Sequence, residues 1–191
     1  MIPAGFHLRH MQLRKLSLTA LLLSAVVATA TTVIPMSVDK MTRLSTVVVE
    51  ARSIDAHSAW NAEHTVIYTY TRFSVSRVLK GAAPATITVK QMGGHADGYT
   101  QRVSGVRHWS SGEEAVLFLH PSVANDGTLV VTGLIQGNFY VQHLPTGEVV
   151  VGNGVPHVSS FDTVNHSTST YHGTHMTLRK LESNVQQAVT R

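Results

Sequence analysis

Cysteine is absent from the 191 residues. That excludes a disulfide scaffold, a Cys-ligated zinc site and a thiol nucleophile. Charge is sparse, with Asp, Glu, Lys and Arg together at 14%, and aromatic residues make up only 6%. With a hydrophobic fraction of 43%, a wholly disordered, strongly charged polymer is also excluded. Acidic residues are missing altogether from residues 1–30, where Arg9, Arg14 and Lys15 stand before the apolar run Leu16–Val27 and the small residues Ala28-Thr29-Ala30.

A basic lead, a short apolar segment and an Ala-x-Ala site form a secretory signal, with cleavage after Ala30 and Thr31 as the mature start. Met11 offers a second initiator, since Met11-Gln-Leu-Arg-Lys15 makes the more typical basic region. An uncleaved anchor is the competing reading, because no charge falls between Lys15 and Asp39 and such a segment can just span a bilayer. The Ser and Thr content and the Ala-x-Ala site favour cleavage, and so a secreted or periplasmic location without membrane attachment.

The chain has 15 basic and 11 acidic residues. Three of the bases lie in the signal, so residues 31–191 carry twelve against eleven. The basicity of the whole chain therefore belongs mostly to the signal. A phosphate backbone calls for clustered Lys and Arg on one face, and a near-neutral domain without them offers no nucleic-acid footprint.

In the mature part, Ser37–Leu44 reads as one or two helical turns capped by Ser37 or Asp39. Val47–Arg52 reads as a strand. Thr65–Leu79 is dense in β-branched and aromatic residues and alternates with Phe73 and Val75 inward; its phase shifts near Arg77-Val78, the mark of a bent barrel strand with a bulge. Thr86–Lys90 alternates with Ile87 and Val89 inward. Further strands are expected at Tyr99–Val106, Ala115–Leu119, Leu129–Leu134, Asn138–Gln142 and Val149–Val151, and the unbroken apolar run at 115–119 is that of a central strand covered on both faces. Residues 152–176, rich in Ser, Thr, Gly, Asn and His, read as an irregular polar connector. Thr177 then caps an amphipathic helix from Leu178 to about Val189. The pattern predicts a mainly β protein: one OB-like antiparallel barrel over 31–151 with a short N-terminal helical turn, the connector at 152–176, and a C-terminal helix in 177–191.

Leu44–Arg52, Tyr68–Gly81, Gly93-Gly94, Gly112–Leu119 and Gly133–Phe139 together resemble a group of uncharacterised secreted bacterial proteins. The strand order also resembles the netrin module, the OB-like barrel of the tissue inhibitors of metalloproteinases. What the resemblance implies is a fold, and fold does not fix function; the partner expected of an exported barrel of this kind is an envelope component or a secreted protease. Those inhibitors chelate a protease zinc through an N-terminal Cys, and a chain without Cys does not carry that wedge over.

Ten of the twelve His lie beyond the signal. His166, His172 and His175 are the candidate metal ligands, for zinc or copper, since two imidazoles at i and i+3 in a turn can share one ion; a solvated polar tail accounts for the same composition. His57, Glu63 and His64, with Asp55 and Trp60, form a second polar group read as a hairpin loop. Gly93, Gly94, His95 and Asp97, with Trp109 nearby, make a candidate binding loop, because adjacent glycines allow close backbone approach. Ser104, Ser110 or Ser111 with His108 and Asp97 supply the residue types of a hydrolase, but no Gly-x-Ser-x-Gly elbow accompanies them. Ser37-Val-Asp-Lys40 has the Ser-x-x-Lys spacing of penicillin-recognising enzymes without their Lys-Thr-Gly partner. With no acid, base and nucleophile set, the reading is a non-enzymatic, exported protein-binding domain without a cofactor; the alternatives are a His-dependent metal binder and a hydrolase.

Overall fold

The computed structural model describes residues 31–154 and 158–191. The secretory signal assigned to residues 1–30, and His157, lie outside the described residues. The barrel is built from β2 (Val47–Trp60), β3 (Ile67–Lys80), β4 (Thr86–Met92), β7 (Glu114–Pro121) and β8 (Leu129–Val131). They close in the order β2–β3–β4–β8–β7–β2, antiparallel except for β4 beside β8, which is the five-stranded Greek-key barrel of OB type. The expected fold class is therefore the observed one.

One strand makes closure possible. The second edge of β7 is divided: Ala115–Leu117 pairs with β9 (Asn138–His143), while Leu119–Pro121 pairs with β8. The sheet thus forks, one branch closing the barrel and the other continuing through β9 to β10 (Val149–Gly152) and β13 (His175–Thr177). The apolar run Ala115–Leu119 is buried on both faces, as its pattern predicts. Leu117 and Leu119 enter the barrel with Val47, Val49, Phe73, Ile87 and Val89. Val116 and Phe118 point the other way, onto Met41, Phe139, Leu181 and Val185. Helices α1 (Val38–Leu44) and α2 (Leu178–Val189) supply that second layer.

Both helices begin where the sequence places them. Ser37 Oγ accepts from the Lys40 amide and Thr177 Oγ1 from the Lys180 amide, each at 3.2 Å, which satisfies one orphan donor per helix. The Ser-x-x-Lys spacing is thus a helix cap. Leu181, Val185 and Ala188 are the buried stripe of α2.

The bend expected near Arg77-Val78 is present. Register slips separate the Val48↔Lys80 from the Val49↔Val78 pair and the Glu50↔Arg77 from the Ala51↔Val75 pair, leaving extra residues on β3 that coil the long hairpin round the barrel.

Four expectations need correction. The strand expected over Leu129–Leu134 ends at Val131, because the chain turns at Gly133 into a 3-10 helix, Leu134–Gly137. β2 runs on to Trp60, so Asp55, His57 and Trp60 are strand residues and only the turn at 61–65 joins β2 to β3. The strand expected over Tyr99–Val106 is only β6 (Tyr99–Gln101), which pairs with β5 (Gly94–Ala96). The connector is not irregular throughout, since β11 (Val158–Asp162), β12 (Ser167–Thr170) and β13 fall within it. β11 lies parallel to β1 (Thr31–Val33) and antiparallel to β12. Val158 and Tyr171 bury against Val33 and Ile135, contacts that span most of the chain and leave no local hydrophobic period.

Candidate binding face

The outer face of β2–β3–β4 carries rows of facing side chains. His57, Tyr70 and Lys90 are cross-strand neighbours, as are Asp55, Arg72 and Thr88, and Ala59, Tyr68 and Met92. His57 stacks on Tyr70 with ring centroids 5.2 Å apart. Lys90 Nζ lies 4.5 Å from the Tyr68 ring centroid and 5.5 Å from that of Tyr70, cation–π contacts that hold the ammonium against the sheet. The same Nζ donates to Asp126 Oδ2 at 3.0 Å, in the β7–β8 loop. Asp126 is held far below the usual carboxylate range, chiefly by the Thr128 hydroxyl at 2.5 Å and then by Lys90. Burial pulls Lys90 down, but hydrogen bonding to Asp126 and the field of Tyr70 outweigh it, and its pKa is raised. Arg72 is likewise paired with Asp55 through Nε, at 2.8 Å. The cations of this face are thus neutralised within the protein.

Beyond β3 and β4 the two hairpin tips converge. Tyr99, 65% exposed, packs edge-on against Trp60 at 5.8 Å. Trp60 in turn stacks on His64 at 5.9 Å. Asn61 organises the β2–β3 turn by accepting from the Thr65 and Val66 amides at 2.8 and 2.9 Å, and Asn61 Nδ2 donates to Glu63. His57 and His64 therefore serve two different aromatic stacks.

The expected binding loop is split by the structure. Gly93 and Gly94 lead into β5, Asp97 and Gly98 form the β5–β6 turn with φ of 49° and 82°, and His95 Nδ1 is 3.0 Å from Thr100 Oγ1. Gly94 lies so close to Ser58 and Thr69 that a Cβ would strike both hydroxyls. A pocket of about 690 Å³ opens between this hairpin and residues 102–109, with Gly94, His95, Gln101, Val106 and His108 among its walls. Trp109 reaches that pocket but is a core residue, 5% exposed, edge-on to Phe73 at 4.9 Å and donating to Asn138 Oδ1 at 3.0 Å. Trp109 is therefore a core residue and no exposed part of the candidate binding loop, and Tyr99 meets Trp60.

Among the described residues no hydrogen bond joins the hydrolase residue types, although Ser104 and His108 line the same pocket. Ser111 Oγ donates to the Ile54 carbonyl at 2.6 Å and His108 Nε2 to the Met92 carbonyl at 3.1 Å, while Asp97 sits in the β5–β6 turn. His166, at φ 50°, occupies the β11–β12 turn beside Phe161; His172 is exposed after β12; His175 Nδ1 meets the Tyr140 hydroxyl at 3.2 Å on β13. The three are not brought together, and among the described residues no three His, Asp or Glu side chains converge to hold a metal ion.

Two further pockets were not foreseen. One, of about 610 Å³, is lined by Arg52, Arg107, Glu113, Glu114, Tyr140 and His143. Its acids are engaged: Glu113 by Arg107 at 2.7 Å, Glu114 by Arg52 and by His143 Nε2 at 2.6 Å. The His143 contact, followed by Arg52, lowers the Glu114 pKa against the pull of burial. The other, of about 290 Å³, lies where β4 and β8 part beyond their single registered pair Val89↔Leu129. Tyr68, Lys90, Gln91, Met92, Val123 and Leu134 are among its walls. The inward phase of Ile87 and Val89, carried two residues further, reaches Gln91 and was the available signal.

Fold and face together define a class, an OB-type barrel with a self-neutralised aromatic face. No protein-family model matches the chain, and no curated protein matches it.

Proposed function

We propose that the chain is an exported, non-enzymatic protein-binding domain whose contact surface is the pair of hairpin tips around Trp60 and Tyr99. The observation that carries this reading is the Trp60–Tyr99–His64 cluster, in which exposed Tyr99 and His64 pack on half-buried Trp60. Aromatic side chains offer large contact area at small entropic cost and are enriched at protein interfaces. The near-neutral charge of residues 31–191 and the internal pairing of Arg72 and Lys90 favour a protein surface over a phosphate backbone. Export belongs to the reading through the basic lead, apolar run and Ala28-Thr-Ala30. Kinship with netrin-type modules belongs to it through the OB strand order, with the partner an envelope component or a secreted protease.

A photoreactive phenylalanine analogue in place of Tyr99, irradiated in the periplasmic or culture fraction, tests it. One reproducible protein adduct, lost in Trp60→Ala, is the expected result. No adduct above the non-irradiated control overturns the reading.

A further inference from the structure

We infer that the gap between β4 and β8 is a socket for a tryptophan side chain of the protein partner, with Gln91 Oε1 as its acceptor. The inference rests on the protein-binding reading for the source of that side chain and on the pocket alone for its chemistry.

Gln91 is 8% exposed and lines the pocket, and its Oε1 is buried without a hydrogen-bond partner. An unmet buried acceptor is costly, and a ligand that brings an N–H or O–H removes the cost. The rest of the wall is largely aliphatic: Val106, Val123, Ala124, Val130, Val131 and Leu134. Three of the protein's exposed large apolar residues, Val123, Met92 and Leu134, gather on this one opening. The occupant is thus apolar with a single donor.

Two more groups narrow the choice to an aromatic ring. Lys90 lines the pocket with its ammonium seated over Tyr68, another wall residue, and the face of an indole is the strongest ring partner for such a cation. The Met92 thioether at the rim favours a ring edge. Because Asp126 neutralises Lys90, an anionic ligand gains little there, whereas an uncharged ring loses nothing. Indole combines the donor, the absence of an acceptor and a flat apolar body, and a pocket of about 290 Å³ admits it. Val106 also borders the larger pocket beside the β5–β6 hairpin, so the two pockets share a wall.

The test titrates the protein with indole and with 1-methylindole, which lacks the donor, and follows backbone and Gln91 side-chain amide resonances by NMR. Indole is expected to shift Gln91, Val106 and Val130, and 1-methylindole to bind about tenfold more weakly, the usual cost of leaving a buried acceptor unmet. In Gln91→Met the two ligands are expected to bind alike. Equal affinities in the unaltered protein, or shifts confined to other residues, overturn the socket. Indole added before irradiation is also expected to reduce the yield of the cross-linked adduct; an adduct formed as before at saturating indole overturns its role in docking. Indole binding with no partner captured supports the socket's chemistry and strikes the protein-binding reading alone.

Discussion

Gly94 sits where the backbone of β5 presses on the hydroxyls of Ser58 and Thr69, with φ at 139°. Gly98, in the neighbouring turn, also has positive φ, but a Cβ there would meet nothing within 4 Å. The two separate crowding from backbone strain. Gly94→Ala is expected to lower unfolding stability by about 2 kcal/mol or more, from strain and overpacking together, and Gly98→Ala by about 1 kcal/mol from strain alone. Urea denaturation with equal m-values measures the difference, and equal costs would remove the crowding explanation. Residue-scale legibility divides in the same way. Phe73 is readable as inward from strict alternation, and it is fully buried. Trp109 is not, because its burial depends on residues 102–109 folding over the barrel and on Asn138, far along the chain, receiving its N–H.

Helix α2 was legible end to end, since its period, cap and apolar stripe are all local. Thr177→Ala is expected to cost about 1 kcal/mol, with Thr177→Ser close to neutral; thermal unfolding followed by circular dichroism checks both, and a neutral Thr177→Ala would show that packing of Leu181 and Val185 alone holds the helix start. Strands β11 and β12 were illegible for the opposite reason. Their Ser and Thr residues are largely exposed, and what orders them is pairing with β1, more than a hundred residues earlier. The extension of β2 through Trp60 was hidden likewise, for Ile54–His57 is exposed and shows its strand character only when paired with β3.

Across the whole molecule the carboxylates set the acid limit. Asp126, Glu114, Asp162 and Asp55 all have folded pKa values below their ordinary ones. Their contributions are fully present above the ordinary values, 3.8 for Asp and 4.5 for Glu, and are lost as pH falls from there through the depressed folded values. Glu50 runs the other way. Burial first, and then Glu182 nearby, raise it despite Arg77, so its contribution is present below 4.5 and lost as pH rises through the folded value. The thermal midpoint is expected to fall steadily below about pH 4.5. At pH 7 Glu114→Gln is expected to lower it, whereas Glu50→Gln holds or raises it; the opposite order would contradict these assignments. At this scale the sequence by itself determined a mainly β barrel, its central buried strand and both helix caps, because alternation, helical period and capping are properties of neighbouring residues. The forked edge of β7, the self-neutralised aromatic face and the unmet acceptor in the β4–β8 gap were decided by the tertiary structure alone, because each joins residues from strands and loops that meet only when the barrel closes.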